Sequence, residues 1–95
     1  MIKNVTYKEE RLVRIKRLSM RSMRRGTKEM DIILSGFCEY QLEKMDEDQL
    51  DLYEAFLSEN DQELYQWITG QMTVPEPYGG IIRQINFYLS NNLTV

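Results

Sequence analysis

The residues in this sequence best suited to specific chemistry are an arginine and a glutamate that lie on either side of a glycine. Segment 24–31 reads Arg-Arg-Gly-Thr-Lys-Glu-Met-Asp. The planar guanidinium of Arg25 can bind a carboxylate or an electron-rich ring, and the carboxylate of Glu29 can hold it or accept a hydrogen bond from a partner. Because Gly26 has no Cβ, the backbone of a partner could come close. We therefore expect both side chains to project outward as a binding corner.

A simpler interpretation of the same residues stays open. Gly26 can be only the residue that ends one helix, and Glu29 only a favourable charge in the first turn of the next. In that case Arg25 contacts solvent or the carbonyl groups at the end of the first helix. The residue types do not decide between the two interpretations.

The corner lies at a boundary of charge along the chain. Residues 1–30 hold ten Lys or Arg against three acidic residues, a net charge of +7, whereas residues 31–95 hold two against twelve, a net charge of −10. Such a separation of charge bears on partners more than on fold. The predicted partner-binding residues are Arg21, Arg24, Arg25, Gly26, Lys28, Glu29 and Asp31.

Few groups in the sequence are suited to catalysis. The chain contains no histidine, which removes the usual general base and the commonest metal ligand. No serine or cysteine has an adjacent activating group, and no glycine-rich phosphate loop is present. The acidic residues lack the spacing of a calcium loop, so we expect no metal. The chain is predicted not to be an enzyme.

The composition also bears on the cellular compartment. Cys38 is the one cysteine, which fits a reducing compartment, and we expect its thiol to be buried and inert. No run approaches the roughly 18 apolar residues that cross a bilayer, so no membrane insertion is expected. Glu9 and Glu10 argue against a mitochondrial transit peptide. These features predict a complete chain located in the cytoplasm.

Apolar residues recur every three or four positions along five segments, which predicts an all-α fold. The short loops favour a compact antiparallel five-helix bundle in a single domain, residues 1–95. Residues 1–7 and 92–95 are expected to be flexible. The predicted helices run from about Lys8 to Arg24 with Gly26 as a left-handed end, from Glu29 to Leu42, from the cap Asp46 to Ser58, from the cap Asn60 or Asp61 to Gly70, and from Tyr78 to Asn91.

The same periodicity predicts which side chains form the core. On the first helix we expect Leu12, Ile15, either Leu18 or Ser19, and Met23 on the apolar side, with Met20 and Met23 as core filling. The aromatic residues expected in the core are Phe37, Tyr53, Phe56 and Trp67.

Several spaced motifs together resemble one known family. They are Arg25-Gly26-x-x-Glu29, Met30-Asp31-Ile32-Ile33-Leu34, Phe37 and Asp61-x-Glu63-Leu64-Tyr65-x-Trp67-Ile68-x-Gly70. This pattern, over about residues 10–90, resembles the bacterial and mitochondrial succinate dehydrogenase assembly factor family, the flavinylation factor called SdhE in bacteria. Members often carry an aromatic residue just before the motif, where this chain has Met20 and Met23.

The resemblance implies a function in which the chain assists another protein. It implies a helical, monomeric assembly factor that binds the flavoprotein subunit of succinate dehydrogenase, or of fumarate reductase, and promotes covalent attachment of FAD to a histidine of that client. The factor would hold no cofactor of its own and would act on the client's FAD. Arg25, Gly26 and Glu29 would meet the client near its flavin. A bacterial cytoplasmic location follows from the same comparison.

Two other functions are open on the residues alone. The first helix is strongly basic, which would suit a nucleic-acid-binding or antitoxin-like regulator that uses Arg11, Arg14, Arg17, Arg21 and Arg24 against phosphates. The strongly acidic remainder and the isoelectric point of about 4.9 argue against it, as do Glu29 and Asp31 at the start of the second helix. A protein that binds FAD by itself would need a dinucleotide-binding fingerprint, which the sequence lacks.

Overall fold

A computed structural model describes residues 9–92, which form five α-helices. They are α1 (Arg11–Ser22), α2 (Lys28–Gln41), α3 (Glu47–Leu57), α4 (Asp61–Ile68) and α5 (Gly79–Asn92), with a 3₁₀ turn at Leu42–Lys44 between α2 and α3. The predicted all-α class and the five helices are confirmed. The expected flexibility of residues 1–7 and 93–95 lies outside the described residues, while Asn92 is the last residue of α5. No helix in the described range is long and apolar enough to cross a bilayer.

Side-chain caps define where three of the helices begin. The Thr27 hydroxyl accepts a hydrogen bond from the Met30 N–H at 3.2 Å and starts α2. Asp46 and Gln49 form a reciprocal capping box at α3, as predicted. At α4 the cap is Asn60, whose Oδ1 accepts from two backbone N–H groups. Asp61, the alternative candidate for this cap, is therefore left free for another role.

The two glycines expected to end helices behave differently. Gly70 follows α4 with φ of 81°, the left-handed conformation that glycine adopts without steric cost. Gly26 has no positive φ, and α1 has already ended at Ser22, with Met23 still in the right-handed helical region. The prediction that Gly26 ends the first helix in a left-handed conformation is therefore wrong.

The core is built around α2, which contacts α1, α4 and α5. The predicted core aromatics Phe37, Tyr53, Phe56 and Trp67 are all buried. Phe56 lies between Tyr53 and Trp67, with ring centroids 6.1 and 6.5 Å away. The core therefore joins α2, α3 and α4 through contacts between rings.

On α1 the predicted buried side is only partly correct. Leu12 is 74% exposed, and Met20 and Met23 are 48% and 46% exposed, so their assignment to the core is wrong. Met23 lies beyond the last turn of the helix, and the helix presents a second, charged side to α3. The residues of α1 that are buried are Ile15, Leu18 and Ser22.

The charged side of α1 explains where much of the positive charge goes. Arg14 contacts Asp51 at 2.6 Å and Glu54 at 3.1 Å, Arg17 contacts Glu54 at 2.8 Å, and Arg11 contacts Glu47 at 3.2 Å. The hydrogen bond from Arg17 is the main cause that lowers the pKa of Glu54. The charge separation along the sequence is thus partly cancelled in space, because the basic helix packs against an acidic one.

Replacing Glu54 with glutamine (Glu54→Gln) is expected to lower the free energy of unfolding by about 1 kcal/mol at neutral pH, since two arginines lose a shared carboxylate. The folded-state pKa of Glu54 lies below its ordinary value of 4.5. Its stabilisation is therefore complete above that value and is lost as the pH falls through the folded-state pKa. Urea denaturation of both proteins at neutral and acidic pH measures the difference. Glu39→Gln, at an exposed position of α2, is the matched control.

Candidate functional site

The side chain of Arg25 points into the protein. It is 8% exposed, and its Nε and Nη2 atoms lie 2.8 and 2.6 Å from Oδ1 of Asp61, whose side chain is 14% exposed. Nη2 also donates to the carbonyl oxygen of Leu57 at 3.0 Å. The prediction that Arg25 projects outward, free of partners within the chain, is therefore wrong. We call this set of contacts the Arg25–Asp61 clamp.

The ends of α3 and α4 explain why an arginine suits this place. Leu57 is the last residue of α3, where carbonyl groups lack partners within the helix and the helix dipole favours a cation. Asp61 is the first residue of α4, and its carboxylate is free because Asn60 caps that helix. The guanidinium has five donors in a fixed plane and so serves both helix ends together.

Two backbone N–H groups, of Arg25 and Gly26, form the remaining hydrogen bonds of the corner. The Gly26 N–H donates to Oδ2 of Asp61, and the Arg25 N–H donates to Oδ1 of Asp31 at 2.5 Å. A Cβ at Gly26 would lie 3.1 Å from the Asp61 Oδ2 atom. The close approach expected at this glycine is therefore made by a carboxylate of the same chain. Both oxygens of Asp61 are used, Oδ1 by the Arg25 side chain and Oδ2 by the Gly26 N–H.

Other predicted site residues are exposed. Arg24, Lys28 and Glu29 lie on the surface, and none of the three forms an ion pair within the described part of the chain. Arg21 is half-buried and donates to the Ser58 hydroxyl at 3.2 Å. The predicted set thus divides into residues that bind other groups of the chain, with Arg25, Gly26 and Asp31, and an outward group in which Glu29 is the acid.

Asp61 is the residue of the corner that sequence reasoning did not identify. It was considered only as a cap for α4 and as part of a family motif. One signal was available. Asn60 is itself a strong capping residue, so the carboxylate of Asp61 is not needed to cap the helix. No local pattern connects positions 25 and 61, however, since the contact depends on how the tertiary fold places the loop after α1 beside the start of α4.

Two titratable side chains away from the corner, Cys38 and Tyr53, are buried in the core. Cys38 is buried as expected, and burial raises the pKa of its thiol. Tyr53 is fully buried and shares a hydrogen bond of 2.7 Å with Ser22, and burial raises its pKa as well. Among residues 9–92, no group of three acidic or cysteine side chains is placed to hold a metal ion.

Replacing Asp61 with asparagine (Asp61→Asn) is expected to lower the free energy of unfolding by about 2 kcal/mol, because the buried guanidinium of Arg25 loses its charged partner. Thermal or urea unfolding followed by circular dichroism measures the loss. The matched control is Asp48→Asn, which makes the same change in the first turn of α3. Equal stability of the two variants would contradict a stabilising role of the clamp.

Sequence comparison finds relatives among fungal proteins named succinate dehydrogenase assembly factor 2, mitochondrial. The chain is 40% identical to the Penicillium rubens protein over 76 residues and 38% identical to the Aspergillus flavus protein over 76 residues. It is 37% identical to the Schizosaccharomyces japonicus protein over 84 residues. These matches cover 72%, 72% and 86% of this chain, but 24%, 26% and 58% of the relatives. The chain therefore spans much less than the full length of these proteins.

The relatives correct one prediction. A bacterial cytoplasmic location was expected, whereas the matched proteins are mitochondrial proteins of fungi, which contradicts it. A single cysteine and acidic residues near the N-terminus do not distinguish the two compartments. These relatives are assembly factors by name, in agreement with the prediction that the chain is not an enzyme.

A match to a family model agrees with the relatives and with the resemblance seen in the motifs. The model is described as flavinator of succinate dehydrogenase, and it matches residues 16–88. This range contains the whole corner and the Arg25–Asp61 clamp. The chain belongs to the succinate dehydrogenase flavinator family, whose members are assembly factors.

Proposed function

We propose that this chain binds the flavoprotein subunit of succinate dehydrogenase, or of the related fumarate reductase, and promotes covalent attachment of FAD to that client. The family match over residues 16–88 is the observation that carries the proposal. The FAD belongs to the client, and the client's own groups form the covalent bond. The chain contributes a folded surface as a free monomer.

The corner supplies a rigid, charged surface for this task. Glu29 lies in the first turn of α2, exposed, with Lys28 beside it and Arg24 across the loop. The Arg25–Asp61 clamp fixes the backbone from which these groups project. A partner held in one geometry by preplaced charges reacts faster without any chemical step by the helper itself. In this proposal Glu29 contacts the client, and Arg25 acts as a positioning residue.

The structure argues against the nucleic-acid alternative at one point. Arg11, Arg14 and Arg17 face α3 and form ion pairs with its carboxylates. A phosphate backbone would have to displace those carboxylates, at the cost of contacts that stabilise the fold. A salt-dependent shift of duplex DNA on a native gel would support the alternative.

Glu29→Ala is expected to lower covalent flavin on the client at least about tenfold, and to leave the stability of the chain within about 0.5 kcal/mol of wild type. The measurement is co-expression with the succinate dehydrogenase flavoprotein, followed by in-gel flavin fluorescence after denaturation. Glu39→Ala, an exposed glutamate on the same helix, is the control and should support normal flavinylation. Full flavinylation with Glu29→Ala would contradict the role of this residue.

Arg25→Ala is expected to lower both the stability of the chain and flavinylation of the client, because the contacts with Asp61 and the Leu57 carbonyl that hold the corner are lost. Arg25→Lys keeps the charge but not the planar set of donors, so it should give an intermediate stability. Assays below the melting temperature of each variant separate a displaced corner from an unfolded chain. Normal flavinylation by folded Arg25→Ala protein would exclude a positioning role.

A further inference from the structure

One side of α1 is exposed along the length of the helix. It carries Leu12, Val13, Lys16 and Met20, and Met23 and Arg24 continue it beyond the helix end; we call this set the outer face of α1. Leu12, Lys16 and Met20 are spaced by four residues and so follow one stripe of the helix surface. All six residues of the set are exposed. A contiguous apolar patch that is rimmed by charged groups is typical of an interaction site.

The charge of the outer face is of one sign. α1 contains no acidic residue, and the Lys16 and Arg24 side chains form no ion pair with any residue in the range 9–92. The arginines on the opposite side of α1 are already neutralised by α3. A complementary partner is therefore apolar at its centre and acidic around it.

A hollow of about 400 Å³ connects the outer face with the corner. It is lined by Arg17, Met20, Arg21, Arg24 and Arg25. Its walls are mainly apolar, as the thioether of Met20 and the aliphatic arms of the arginines would make them, and Arg24 adds a cation that forms no ion pair within residues 9–92. Methionine adapts its shape to a partner, because its unbranched chain has several accessible rotamers. The hollow can take one apolar side chain from a segment that carries carboxylates on either side.

We propose that the outer face of α1 is a second contact surface for the client, occupied by an acidic segment of the client that inserts an apolar side chain beside Met20. This inference rests on the proposed function and extends it from the corner to the preceding helix. The four exposed apolar residues of this face, Leu12, Val13, Met20 and Met23, favour a protein segment over a nucleic acid, whose phosphates need closely spaced cations. An anionic bilayer would bind the cations but would not need a shaped hollow.

The test is the affinity of the full chain for the purified flavoprotein subunit, measured by calorimetry at two salt concentrations. Met20→Ser and Arg24→Glu are each expected to raise Kd about tenfold, and the effect of Arg24→Glu should shrink in high salt. Met20→Leu should keep most of the affinity. Met72→Ser and Arg83→Glu change an exposed methionine and an exposed arginine elsewhere on the surface, and they should leave Kd within about twofold of wild type.

The possible results separate the two proposals. If Glu29→Ala weakens binding while Met20→Ser and Arg24→Glu do not, the outer face of α1 is not a client surface and the proposed function still stands. If the wild-type chain does not bind the flavoprotein at all, the proposed function fails, and this inference fails with it. The assigned occupant would be wrong if three results came together: wild-type protein binds duplex DNA or anionic vesicles, Arg24→Glu abolishes that binding, and the affinity for the client is unchanged.

Discussion

The contact between the Arg25 guanidinium and the Asp61 carboxylate is the interaction on which the candidate site depends. Two N–H groups of the arginine share one carboxylate oxygen, and the other oxygen accepts the Gly26 N–H. The contact joins the loop after α1 to the start of α4, and the Leu57 carbonyl adds the end of α3. Three parts of the chain, the loop after α1 and the facing ends of α3 and α4, thus meet at one largely buried charge pair. Because a buried charge without its partner is costly, arrangements that separate Arg25 from Asp61 are disfavoured.

The general architecture could be read from the sequence because it follows from local rules. Apolar periodicity indicated the five helices, and the capping box at Asp46 and the left-handed Gly70 fixed two of their ends. The periodicity was less reliable on α1, where Leu12 and Met23 fit the apolar pattern but are exposed. A short helix with two packed sides leaves fewer buried positions than a stripe of apolar residues suggests. The pattern does not show which side a neighbour covers.

The candidate site was only partly accessible to the same reasoning. Glu29 was identified correctly as an exposed acid at the start of α2. The orientation of Arg25 was wrong, because its partner is 36 residues away and its role depends on tertiary packing. A surface arginine and a buried, paired one look the same in a single sequence. The family assignment does not depend on this orientation, since it rests on similarity across most of the chain.

The separation of 36 residues between Arg25 and Asp61 has a consequence for how the corner arises. Bringing residues 25 and 61 together closes a loop of the chain and costs conformational entropy. The free energy of the contact offsets this cost only when α2 and α3 already occupy their native positions. The exposed position of Glu29 beside the clamp therefore forms only when the tertiary fold is complete. A partly collapsed chain would lack this surface. A partner that binds there would therefore select the completely folded helper over partly folded forms.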